Sequence, residues 1–182
     1  MRLLLGPAAS ALALALSSVP TLAQVTVVQA DRVLAEPGEA PRGPTSIVIE
    51  KGRIVALLDG RQPGPAGAQV VDLGGRFVLP GLIDSHVHLV SDAGGQQALI
   101  ERMTSSPAQD ALRAQWNGMK TLRAGFTTVR NLGDRTGATL ALRDAVEAGW
   151  TQGPRIVDAG QSISVTSGHM DGTLGTAESM WQ

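Results

Sequence analysis

The chain has 182 residues, enough for one domain or a domain and a half, and carries 15 basic and 16 acidic side chains with no basic block. That balance argues against a nucleic acid held through its phosphates and against a polybasic membrane patch. Cysteine is absent, which excludes disulfides and thiolate ligands, and the 43% hydrophobic content, carried mainly by Ala, Leu and Val, suits a globular protein.

In chain order, Arg2 precedes an apolar run over 3–19, and Thr21-Leu22-Ala23 places small residues where a signal peptidase needs them. Residues 1–23 therefore read as a signal peptide cut before Gln24, and the mature protein as exported, periplasmic or extracellular. The segment is short for a span of about 20 residues and is broken by Gly6 and Pro7, so no stable membrane anchor is expected.

Residues 24–80 read as short paired strands making a small β domain. Strands are expected at 25–28, 46–50 and 53–58, the last two joined by a hairpin at Lys51-Gly52. Pro and Gly make loops of 36–44 and 59–67. A second hairpin is expected where Gly74-Gly75 separates 68–73 from 76–79.

From 81 to 182 the pattern changes to strand-helix alternation. The apolar run 77–89 forms a strand and leads through a loop to a helix. Ser106 caps that helix, Pro107 opens it, Gln109 completes a capping box and Gly125 ends it. Leu112, Trp116, Met119 and Arg123 or Leu122 keep helical spacing, and Trp116 and Met119 are expected in the core. A strand at 126–130, a helix at 138–148 ended by Gly149, and a strand at 155–158 follow. Repeated βαβ units imply a parallel sheet with right-handed crossovers. No G-x-G-x-x-G opens a helix, so dinucleotide binding lacks its main signal.

The stretch Phe77-Val78-Leu79-Pro80-Gly81-Leu82-Ile83-Asp84-Ser85-His86-Val87-His88-Leu89 concentrates the chemistry. Strand alternation puts Asp84, His86 and His88 on one face, where two neutral imidazoles converge on a point suited to zinc or a similar divalent ion. A bare HxH is often no more than a pair of strand histidines, and its context decides. PGLIDSHVHL resembles the first barrel strand of the amidohydrolase superfamily of metal-dependent hydrolases. Residues 125–133, GFTTVRNLG, and Gly153-Pro154-Arg155-Ile156 with residues 160–169 are similar to the imidazolonepropionase-like and Xaa-Pro-dipeptidase-like branch. Asn131 stands where that branch usually has a carboxylate, and Thr166-Ser167-Gly168-His169-Met170 departs from its TGGHG.

The resemblance implies an α/β fold: the N-terminal part of a TIM-type (β/α)8 barrel, preceded by a small β-sandwich domain over 24–80. It implies one or two divalent ions, zinc first, with His86 and His88 holding one of them, Asp84 supporting from outside the coordination sphere, and His169 binding substrate. Arg130 is expected in an internal ion pair. The reaction implied is metal-assisted hydrolysis of an amide or peptide-like C–N bond in a small-molecule or peptide substrate. The family completes its site with a carboxylated lysine, two further histidines and an aspartate from later strands. The only lysines here, Lys51 and Lys120, lie in the front hairpin and a helix. A full barrel takes about 250 residues, so the chain reads as the front portion of a longer amidohydrolase. The other reading is a non-catalytic secreted product that binds metal weakly or not at all.

Overall fold

The computed structural model describes residues 25–166, Gly168 and Met170. The 1–23 leader and His169 lie outside the described residues. The chain divides into two compact units, Met1–Leu79 and Pro80–Gln182.

The first unit is a four-stranded sheet of β1 (Thr26–Val33), β2 (Thr45–Glu50), β3 (Arg53–Asp59) and β4 (Gln69–Val78), in the order β3-β2-β1-β4. The β2–β3 hairpin turns at Lys51 and Gly52, whose φ of 50° and 74° both lie in the left-handed region, the type I′ pattern that matches strand twist. Val27, Ala30, Val33, Ile47 and Val48 form the buried apolar set. The second hairpin does not form. β4 runs straight through Gly74-Gly75 and pairs parallel with β1 on both sides of it, from Thr26↔Gln69 to Val33↔Val78, with an irregularity opposite Asp31. The diglycine bulges instead of reversing because carboxylates take its freed amides: Gly74 N–H donates to Asp72 (2.8 Å) and Gly75 N–H to Asp31 (2.7 Å). Among its described residues this unit contains one sheet and no second layer of a sandwich.

The second unit contains β5 (Leu82–Val87), α1 (Gly95–Thr104), α2 (Pro107–Arg123), β6 (Phe126–Asn131), α3 (Ala138–Glu147) and β7 (Arg155–Asp158). The three strands are parallel and adjacent in chain order, β5-β6-β7. Their buried apolar side chains, Val129 and Ile156, pack with Leu89, Ala114 of α2 and Leu142 of α3, so both crossover helices cover the same face. The capping box at Ser106 and Gln109 forms as expected, with Pro107 in the first turn. The helix α1 was not expected: it starts at a glycine pair with no side-chain cap, leaving little for a sequence reading to find.

The face of α2 differs from expectation. Ala114 is buried, as are Asp110, Asn117 and Gly118, whereas Leu112 and Trp116 are 74% and 62% exposed. Small side chains let the helix approach the sheet closely; a Cβ on Gly118 would already lie 3.5 Å from Pro154. The bulky stripe is turned outward. No helix among the described residues is long and apolar enough to cross a membrane.

Candidate active site

The end of β5 departs from simple alternation. Its register with β6 passes from Asp84↔Val129 to Val87↔Asn131, three residues against two, so a bulge falls at Ser85 and His86. The strand ends at Val87, and His88 lies just beyond it. The bulge releases the Ser85 carbonyl from the ladder, and Arg130 Nε donates to it at 2.7 Å. That bond replaces the expected ion pair: among the described residues no carboxylate pairs with Arg130, because a carbonyl without a ladder partner lies within its reach.

Both histidines are exposed, their ring centres 5.4 Å apart and their planes at 71°. Two imidazoles bound to one ion through nitrogens at about 2.0–2.1 Å, at a tetrahedral angle, have ring centres about 5 Å apart. The separation of the two ring centres is close to that value. His88 Nδ1 lies 3.3 Å from the Gly133 carbonyl oxygen. A carbonyl can only accept, so in a hydrogen bond at this contact Nδ1 is the donor, and Nε2 is the nitrogen turned away from Gly133. Gly133 has φ of 113°, and a Cβ there would fall 2.2 Å from Ser162 Oγ, so the position is restricted to glycine.

Asp84 does not reach a ring. Its Oδ1 accepts the backbone N–H of His86 at 3.0 Å, so its effect on that histidine is through the main chain. Among the described residues no group of three or more His, Asp or Glu side chains gathers to hold a metal.

A cavity of about 380 Å³ opens beside His88, lined by Glu101, Asp110, Arg113, Gly133 and Asp134 among others. Its size is that of a small-molecule site. Arg113 Nη1 lies 3.5 Å from both Glu101 and Asp110 and donates to Ser105 Oγ at 3.2 Å. The Ser91 hydroxyl, then Gln97, holds the Glu101 carboxyl below its ordinary value. Burial pushes Asp110 up, against the opposing charge of Arg113. The sequence reading missed this cluster; Asp110 and Arg113 at i,i+3 on one helix were its only visible signal.

The backbone around His88 is clamped as well. Asn131, fully buried, accepts the Leu89 N–H on Oδ1 at 3.0 Å, and Asn117 Nδ2 donates to the Leu89 carbonyl at 2.9 Å. Asp134 accepts from the N–H groups of Ala138 and Thr139 and thereby caps α3 from outside.

The amidohydrolase family profile matches residues 77–180. A dihydroorotase of Bacillus caldolyticus is 41% identical over 85 residues, 47% of this chain and 16% of that protein. An imidazolonepropionase of Mycolicibacterium smegmatis is 32% identical over 103 residues, 57% of this chain and 24% of that protein. The crystal structure of a Xaa-Pro dipeptidase with methionine bound in its active site is similar with a TM-score of 0.76 and 31% identity, over 86% of this chain and 38% of that one. The chain thus spans well under half the length of each of these relatives. Since the profile takes in more than half of the chain, and runs through the HxH strand and the two strand-helix units behind it, the chain belongs to the amidohydrolase family.

Proposed function

We propose that the chain supplies the first two metal ligands, His86 and His88, of an exported hydrolase of amide or peptide-like C–N bonds. The observation that carries this is the pair of rings at 5.4 Å, one of them with its Nδ1 3.3 Å from the Gly133 carbonyl oxygen. The relatives' names support the reaction class: a dihydroorotase, an imidazolonepropionase and a Xaa-Pro dipeptidase.

His86 and His88 would hold one divalent ion, which we take to be zinc. A cation there supplies Lewis acidity toward a carbonyl and acidifies water at neutral pH. Gly133 keeps the His88 proton on Nδ1, and Asp84 fixes the main chain of His86 without competing for its ring. The cavity beside His88 receives part of a small-molecule or dipeptide substrate, and His169 contributes to that binding. The adjacent parallel strands β5-β6-β7, with helices on one face, are the opening units of a TIM-type barrel. Closing it, and completing a sandwich on the first unit, falls to a longer polypeptide of which this chain is the front. The 1–23 leader directs that polypeptide out of the cytoplasm.

The test is zinc stoichiometry by elemental analysis, after dialysis against a weak chelator, for the protein and for its His86→Ala, His88→Ala variant. Metal retained by the first and lost from the second supports the reading. Equal, non-zero metal in both would sink it; no metal in either fits a front portion whose remaining ligands lie downstream, and sinks the reading where the gene's frame ends at codon 182. Such a protein would be the non-catalytic secreted product.

A further inference from the structure

We propose that Asn131 and Asp158 act as a positioning pair for His88 that requires one amide and one carboxylate bonded across β6 and β7, the amide standing on β6 and the carboxylate on β7 in this chain. The inference rests on the reading of His88 as a metal ligand.

Asn131 has no exposed surface, and each of its polar atoms is used. Oδ1 accepts the Leu89 N–H at 3.0 Å, and Nδ2 donates to Thr139 Oγ1 at 3.0 Å and to Asp158 Oδ2 at 3.2 Å. The Thr139 hydroxyl gives its own hydrogen to Asp134, so toward Asn131 it can only accept. The other oxygen of Asp158 accepts the Gly160 N–H at 2.7 Å, and the Gly160 carbonyl accepts the N–H of Asp134 at 3.2 Å. Asp134 directly follows Gly133, whose carbonyl holds the His88 ring.

Position 131 therefore stands between the two supports of His88. On one side it holds the main chain of Leu89, the next residue. On the other it reaches, through Asp158 and Gly160, the loop carrying Gly133. The site demands one acceptor and two donors, which an amide provides and a carboxylate does not. An aspartate at 131 has the same shape but no donor, and would set two carboxylate oxygens about 3 Å apart, one on a fully buried residue and one on a half-buried one, where like charges repel. This explains the departure from VRDLG: the carboxylate of this mouth lies across the sheet on Asp158. Exchanging the two restores an amide-to-carboxylate bond, since an asparagine at 158 can donate to 131 and still accept from Gly160. Only the Thr139 lone pair is then left without its donor.

The experiment compares the full chain with Asn131→Asp and with the exchange Asn131→Asp, Asp158→Asn. Zinc affinity is measured by competition titration, the His88 ring proton by proton–nitrogen NMR without metal, and folding by thermal unfolding. We expect Asn131→Asp to weaken zinc about 10–100-fold and to lose the Nδ1–H signal, and the exchange to recover both to within about threefold of the parent. An Asn131→Asp protein that is less stable but binds zinc as tightly as the parent would overturn the proposal, because the role would then be structural only. So would an exchange variant no better than the single one. If Asn131→Asp does not fold, the exchange alone decides: recovery of fold, signal and affinity supports the pair, and failure overturns it. If the parent binds no zinc, the metal reading falls, and loss and recovery of the ring signal still decide the pair.

Discussion

Replacing Asp134 by asparagine tests whether one buried carboxylate organises the β6–α3 loop. Asp134 is 7% exposed. Its Oδ1 accepts from Thr136 N (2.6 Å), Thr136 Oγ1 (2.9 Å) and Ala138 N (3.3 Å), and its Oδ2 from Thr139 N (2.8 Å) and the Thr139 hydroxyl. An asparagine keeps the shape but turns an NH₂ onto one set of donors, whichever way it is placed. Losing a cap costs about 1 kcal/mol, and a buried N–H left facing another donor about 1–3 kcal/mol, so the variant should lose about 2–4 kcal/mol. At about 4–8 °C per kcal/mol for a domain of about 100 residues, the unfolding midpoint should drop by at least about 8 °C. The pH dependence gives a second check. Burial alone pushes the carboxyl up, but the hydrogen bonds from Thr139 and then Thr136 outweigh it and hold it below the ordinary aspartate value. A depressed native pKa means that the stabilisation is fully present above the unfolded value of about 3.9 and is lost as pH falls through the lower native value. Urea unfolding of parent and variant at neutral pH and down the acid range reads both. A difference below about 1 kcal/mol at neutral pH, or a lead already lost at about pH 5, would refute the account.

Two further changes follow from the same structure. On α2, Ala114→Leu should cost about 1–3 kcal/mol, because it adds three carbons to a fully buried position against Val129 and Leu142. Trp116→Gln, two residues on and exposed on the opposite side of the helix, should fall within about 0.5 kcal/mol of the parent in the same denaturation assay; reversed magnitudes would restore the expected core face. In the first unit, Gly52→Val should cost about 1–2 kcal/mol, since a φ of 74° forces a β-branched side chain into the left-handed region while nothing else lies near.

The parts of this fold legible in the sequence are those fixed by local chemistry. Ser106, Pro107 and Gln109 announce a helix start because the capping box is made by neighbours in the chain. Lys51-Gly52 announces a turn because the conformation itself selects glycine. The strands β6 and β7 follow from short β-branched runs closed by helix-ending glycines. What escaped the reading depends on distant partners. Gly74-Gly75 looks like another turn, and only the carboxylates of Asp31 and Asp72 with the parallel neighbour β1 make it a bulge. The buried face of α2 was assigned to its largest apolar residues, whereas the face packed on the core carries Ala114, Asn117 and Gly118, the last facing Leu142 of α3 and Pro154. At the site, the HxH spacing and the pairing of its rings were legible; the supports of His88 were not, because each lies more than 25 residues away in the chain.

Those supports show where the geometry of the two histidines comes from. Period-two alternation fails at the bulge, so β5 alone does not determine how its end is aimed. Four consecutive residues of the neighbouring strand and loop do so instead. Arg130 takes the Ser85 carbonyl, Asn131 the Leu89 amide, Leu132 the Val87 carbonyl and Gly133 the His88 ring. The strings around HxH and around VRNLG are therefore two halves of one device, and a substitution in the second can disturb the first without touching a histidine. On the proposed reading of His86 and His88 as metal ligands, such a device would hold them in place before a cation arrives, so that little conformational entropy would remain to be lost on binding. It also accounts for an amide at 131. Arg130, Leu132 and Gly133 use groups that a change at 131 leaves in place, but Asn131 must donate to Asp158 while accepting from Leu89, and only its side chain can do both.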